Sequence, residues 1–109
     1  MDMVFFMDRK KLAIDFAKSL NYPEIEKIIL FGSVARGKDK DESDIDILIL
    51  TTDEDKITDK VYDKVVDVIL KFQELISLKI ISVDEYNIIK NTPFISNILK
   101  EGIILRRYC

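Results

Sequence analysis

Gly32-Ser33 follows a continuous apolar run at 28–31, and ten residues separate Ser33 from the triplet Asp44-Ile45-Asp46. In an extended strand alternate side chains share a face, so Asp44 and Asp46 project together while Ile45, Ile47 and Ile49 project the other way, into a core. Two like charges this close are unfavourable unless a cation or a proton joins them, and hard carboxylate oxygens suit Mg²⁺ or Mn²⁺. Gly32 lets backbone come close to a ligand, and Ser33 is a residue type that caps a following helix. Free amides at such a turn favour the terminal phosphates of a nucleotide, and Arg36 adds a fixed cation. Metal-binding carboxylates beside a phosphate seat are what in-line phosphoryl or nucleotidyl transfer requires.

Each piece alone also has a plain structural explanation. Gly-Ser is common turn chemistry, acids are common at strand edges, and 38–42 is a charged stretch suited to a solvated loop. Their joint occurrence separates the readings, because an apolar strand precedes the Gly-Ser turn and strict alternation begins at Asp44.

The elements that must position these residues are legible from periodicity. Asp8 is placed to cap a helix carrying Leu12, Ala13, Phe16, Ala17 and Leu20 at helical spacing, closed by Asn21, Tyr22 and Pro23. The runs at 28–31 and 45–50 read as buried strands. Between about 57 and 75, Val61, Val65, Val68 and Phe72 form one stripe, with Lys60, Asp63, Lys64, Asp67 and Lys71 outside it. A third strand is expected at 78–83, then a short helix opened by the Ser82/Glu85 capping box. Thr92 and Pro93 suit a helix start, Gly102 a helix stop, and 103–107 a last strand. The order α, β, short α, β, α, β, α, α, β predicts an α/β (α+β) fold, helices packed on a small mixed sheet, with strand order left open.

Composition bounds the chemistry. The chain has 109 residues, 48% hydrophobic and 34% charged, which fits one domain over 1–109 able to bury roughly two-thirds of its extended surface. With 17 basic and 20 acidic residues the net charge is −3, which argues against non-specific nucleic-acid binding. There is no histidine, so triads, Cys-His dyads and His-ligated zinc are excluded, and any general base must be a carboxylate. The one cysteine, Cys109, allows no internal disulfide, and a cytoplasmic location is expected. No run has membrane-spanning length, and the apolar opening at 1–7 is too short for a signal-peptide core. Tyr22, Tyr62, Tyr86 and Tyr108 read as packing residues, since no basic surface surrounds them.

The string Gly32-Ser33, ten residues, Asp44-Ile45-Asp46 resembles the signature of the polymerase-beta-type nucleotidyltransferase superfamily, tightly over 28–50 and elsewhere by element order and length. The short chain is similar to the minimal nucleotidyltransferases of that superfamily. The resemblance implies a nucleotidyltransferase fold, Gly32 and Ser33 holding a nucleoside triphosphate, and Asp44 and Asp46 as catalytic residues binding two Mg²⁺, with Mn²⁺ as an alternative. Arg36, Gly37 and Ser43 match motif positions, which adds Arg36 and Ser43 to the nucleotide-binding set. The implied partner is a helical HEPN-type protein of a toxin-antitoxin system. The implied activity is transfer of AMP from ATP to a tyrosine of that toxin, the chain acting as the antitoxin.

One departure is visible. Members of the superfamily carry a third carboxylate on the next strand, and 75–81 contains no acid; Ser77 or Lys79 takes that place, while Asp84 and Glu85 come later, where helix capping accounts for them. Two functional classes therefore stay open: a Mg²⁺-dependent adenylyltransferase, and a non-catalytic nucleotide-binding or docking module that neutralises its partner. A nucleotide-sensing regulatory domain would use the same residues. The apolar run 103–105, with Arg106 and Arg107 as guarding charges, is expected at a sheet edge, where it would allow homo-oligomers or a heteromeric complex.

Overall fold

The computed structural model describes residues 8–38 and 44–107. Helix α1 (Arg9–Ser19) is capped by Asp8, whose carboxylate accepts from the Lys11 amide. Strand β1 (Ile25–Phe31) leads straight into the five-residue helix α2 (Gly32–Arg36), which Gly37 ends in a left-handed conformation. Strand β2 (Ile45–Thr51) is followed by the long helix α3 (Glu54–Phe72) and strand β3 (Ile76–Ser82). Helices α4 (Val83–Ile89) and α5 (Pro93–Glu101) precede strand β4 (Ile103–Arg107). The element order is the one expected from the sequence.

The four strands form one mixed sheet in the order β3-β2-β1-β4. β1 pairs antiparallel with β2 and β4, and β2 pairs parallel with β3, so α3 is the crossover that parallel neighbours require. One face of the sheet packs Ile28, Leu30, Ile45, Ile47 and Ile49 against Phe16 of α1 and Ile57, Val61 and Val65 of α3. The other packs Ile29, Leu48 and Leu50 against Ile95 and Ile98 of α5, with Val83, Tyr86 and Ile89 of α4 alongside. Helices thus cover both faces of the sheet. Among the described residues, no helix is long and apolar enough to cross a membrane.

Three boundaries differ from expectation. α3 begins at Glu54 because Asp53 accepts from the Lys56 amide and two acids sit in the first turn, favourable beside the exposed amides. It ends at Gln73, which turns left-handed (φ 56°), a C-terminal stop that glycine would have announced. β3 accordingly starts at Ile76, two residues early. Phe72 of the expected stripe is 42% exposed. Arg106 does not guard the β4 edge: it donates to Ala17 O (3.2 Å), Leu20 O (2.7 Å) and Asn21 Oδ1 (2.8 Å), closing the C-terminal end of α1.

Candidate functional site

The site forms where the C-terminal end of β1 meets the N-terminal ends of β2 and β3. Antiparallel pairing sets Phe31 opposite Asp46, and parallel pairing sets Ser77 on the other side of Asp46. Period-two alternation then puts Phe31, Asp46, Ser77 and Lys79 on the face that also carries Leu48 and Leu50. Toward one end that face is roofed by α4 and α5; at the Asp46 end it opens, with Asp44, Ser77 and Lys79 exposed.

Gly32 follows Phe31 directly and touches this carboxylate. A Cβ on Gly32 would collide with Asp46 Oδ2 and lie 3.1 Å from its Cγ, and the backbone is left-handed there (φ 74°), so two independent constraints select glycine. The turn and the acid pair, ten residues apart and more in sequence, are one structural unit. The expected capping role of Ser33 is not what the structure has. Phe31 is the N-cap of α2, without a side-chain hydrogen bond, and Ser33 lies one residue inside the helix.

Electrostatically the Asp46 carboxyl is pushed above the usual carboxylate range, chiefly because burial disfavours its charge and next because the Asp44 charge repels it; Arg36 and Lys79 pull the other way. An acid raised by burial and by a like charge is short of positive charge, and its oxygens suit a hard divalent ion. Among the described residues no cluster of three or more His, Cys, Asp or Glu side chains exists; Asp44 and Asp46 are the two acids this end of the sheet brings together. Ser43, expected at the nucleotide, lies outside the described residues.

Sequence reasoning missed what α5 brings to the site. Arg36 Nη1 pairs with Glu101 Oε2 at 3.3 Å, an exposed contact that steers the guanidinium more than it stabilises the fold. Phe94 stands edge-on to Phe31, centroids 6.4 Å apart, and Lys79 Nζ rests over the Phe94 ring at 5.3 Å. A cleft of about 200 Å³ beside Gly32 is lined by Phe31, Arg36, Phe94, Asn97, Ile98 and Glu101. No local signal in the sequence pointed to Phe94 or Glu101, because their role depends on where α5 docks. A roomier groove of about 270 Å³ runs between α1 and α3, remote from the carboxylate pair.

The family pattern of the polymerase beta nucleotidyltransferases matches residues 13–108. The chain belongs to that family. Its relatives include a candidate protein adenylyltransferase of Methanocaldococcus jannaschii, 38% identical over 102 residues, which cover 91% of this chain and 99% of the relative. Among solved structures, this nucleotidyltransferase is similar to a toxin-antitoxin crystallised with AMP-PNP (TM-score 0.59, 21% identity, 94% of this chain and 75% of the other). It is also similar to a mutant of the toxin-antitoxin MntA-HpeT (TM-score 0.61, 19% identity, 94% and 75%). At such identities the likeness is one of fold. It agrees with the mixed sheet and its helical layers, so this nucleotidyltransferase has the α/β fold expected of it.

Proposed function

We propose that this nucleotidyltransferase transfers AMP from ATP to a hydroxyl of a partner protein, in a Mg²⁺-dependent reaction, with a tyrosine of a helical HEPN-type toxin as acceptor and the chain as antitoxin of the pair. The observation that carries the reading is the contact of Gly32 with Asp46: the turn that admits backbone close to a ligand abuts the acid pair. The similarity to a candidate protein adenylyltransferase at 38% identity and to toxin-antitoxin structures supports the choice of nucleotide and partner.

In this reading Asp44 and Asp46 would hold Mg²⁺, two ions once the triphosphate adds its own oxygens, and Mn²⁺ as an alternative. A metal held there would supply charge to offset the phosphates and to lower the pKa of the attacking hydroxyl. Gly32 and Ser33 seat the terminal phosphates, and Arg36, held by Glu101, faces them with a directed cation; Ser43 completes the nucleotide contacts. The acceptor oxygen attacks the α-phosphorus, the bond to the β-phosphate breaks and pyrophosphate leaves. A carboxylate of the pair takes the hydroxyl proton, the chain having no histidine.

A second reading, a non-catalytic nucleotide-binding or docking module, is favoured by β3, which sets Ser77 beside Asp46 and Lys79 one alternation further and offers no acid where the superfamily carries one. Incubation with ATP labelled at the α-phosphate, Mg²⁺ and the product of the neighbouring gene separates the two. Adenylyl transfer predicts label on the partner, lost with Asp46→Asn. A complex that forms without label supports docking.

A further inference from the structure

We propose that Lys79 is a phosphate-binding residue of the nucleotide site, resting on Phe94 when no nucleotide is present. The inference rests on the nucleotidyltransferase reading of the Asp44/Asp46 pair and adds a residue to it.

Register places Lys79 on the same sheet face as Asp46, opposite Leu48, one alternation beyond Ser77. Its exposed side chain extends over the Phe94 ring at 5.3 Å, and Phe94 in turn leans on Phe31, the strand partner of Asp46. The ammonium is close enough to bear on the charge of Asp46. Among the described residues no carboxylate lies within ion-pair distance of Lys79, whereas Arg36 already pairs with Glu101.

The two cations of the site therefore differ. Arg36 already pairs with an acid, Glu101. Lys79 sits on an aromatic face, a weak seat in water that a phosphate oxygen displaces, because a charge-assisted hydrogen bond to an anion outmatches an exposed cation-π contact. Charge balance gives Lys79 its task. Even two divalent ions do not cancel both carboxylates and a triphosphate together, so cations from the protein offset the remainder. Among the described residues Lys79 is the lysine that β3 places on that open face, and its flexible stem suits a point contact with phosphate.

The test is calorimetry with α,β-methylene ATP and Mg²⁺, together with Mn²⁺ binding followed by electron paramagnetic resonance in the absence of nucleotide. Lys79→Met is expected to weaken the nucleotide at least tenfold, to leave Mn²⁺ binding equal or tighter because a like charge is gone, and to keep the wild-type Tm. Lys79→Arg should restore most of the affinity. Nucleotide binding within twofold of wild type in Lys79→Met overturns the proposal. So does a parallel loss of nucleotide and Mn²⁺ binding, which is what a merely structural role gives. Asp46→Asn keeps the two levels apart: if it binds Mn²⁺ and nucleotide like wild type, the metal-site reading fails, whatever Lys79→Met does.

Discussion

Asp46 occupies a place where its charge is unfavourable until something positive joins it. Burial and Asp44 raise its pKa above the ordinary carboxylate value, so the folded chain holds this proton more tightly than the unfolded chain. The contribution of Asp46 to stability is therefore full below about pH 4 and is lost as pH rises through its raised folded-state pKa. Asp46→Asn should raise Tm at pH 7 in metal-free buffer, an advantage that shrinks to nothing as pH falls below the carboxylate range, while Mn²⁺ binding disappears. A fall in Tm at pH 7 would assign Asp46 a structural role instead. Gly32 and Gly37 offer a matched pair, since both are left-handed (φ 74° and 70°) but only Gly32 has a neighbour in the way. Gly37→Ala should cost about 1–2 kcal/mol of left-handed strain and leave nucleotide affinity unchanged. Gly32→Ala should cost more, and displace Asp46 enough to weaken nucleotide binding at least tenfold. Equal losses of affinity in the two variants would dissociate Gly32 from the site.

At the scale of elements, β4 does more than complete the sheet. Arg106 reaches from it to the last carbonyls of α1, a cation at the negative end of a helix dipole. Arg106→Met should cost about 1–3 kcal/mol, measured by urea unfolding, without changing nucleotide affinity, since charge-assisted hydrogen bonds to two carbonyls are lost far from Asp46. An effect within 0.5 kcal/mol would make that contact incidental. The contrast with the sequence-based role of Arg106 as an edge guard marks where local reading stops. Helix and strand order was legible because Ile45, Ile47 and Ile49 alternate strictly and because Asp8, Ser82 and Thr92 announce helix starts. The end of α3 was not, because Gln73 adopts a left-handed turn with no glycine to signal it. The acid pair and the Gly-Ser turn were visible as a motif, and their contact needed the pairing of Phe31 with Asp46. Glu101 and Phe94 join the site through the docking of α5 on β1, a tertiary fact that periodicity does not encode.

At the scale of the molecule, the candidate site is assembled from segments that are distant in sequence: Phe31, Gly32 and Arg36, then Asp44 and Asp46, then Phe94 and Glu101 on α5, with the proposed Lys79 on β3. No segment carries all of these groups by itself, so on the proposed function a nucleotide would have affinity for the folded chain and little for the unfolded one. Binding must then appear as global stability. With Mg²⁺ and α,β-methylene ATP at 100 times its Kd, the folded state should gain about 2.7 kcal/mol, which for a chain of this length is a rise of roughly 10–20 °C in Tm. A chelator in excess should remove nearly all of that gain, because Asp44 and Asp46 oppose the triphosphate once the divalent ion is withdrawn. A gain of the same size with chelator present would mean that Arg36, Lys79 and the Gly32-Ser33 amides hold the phosphates unaided, and that the acid pair serves something other than the nucleotide.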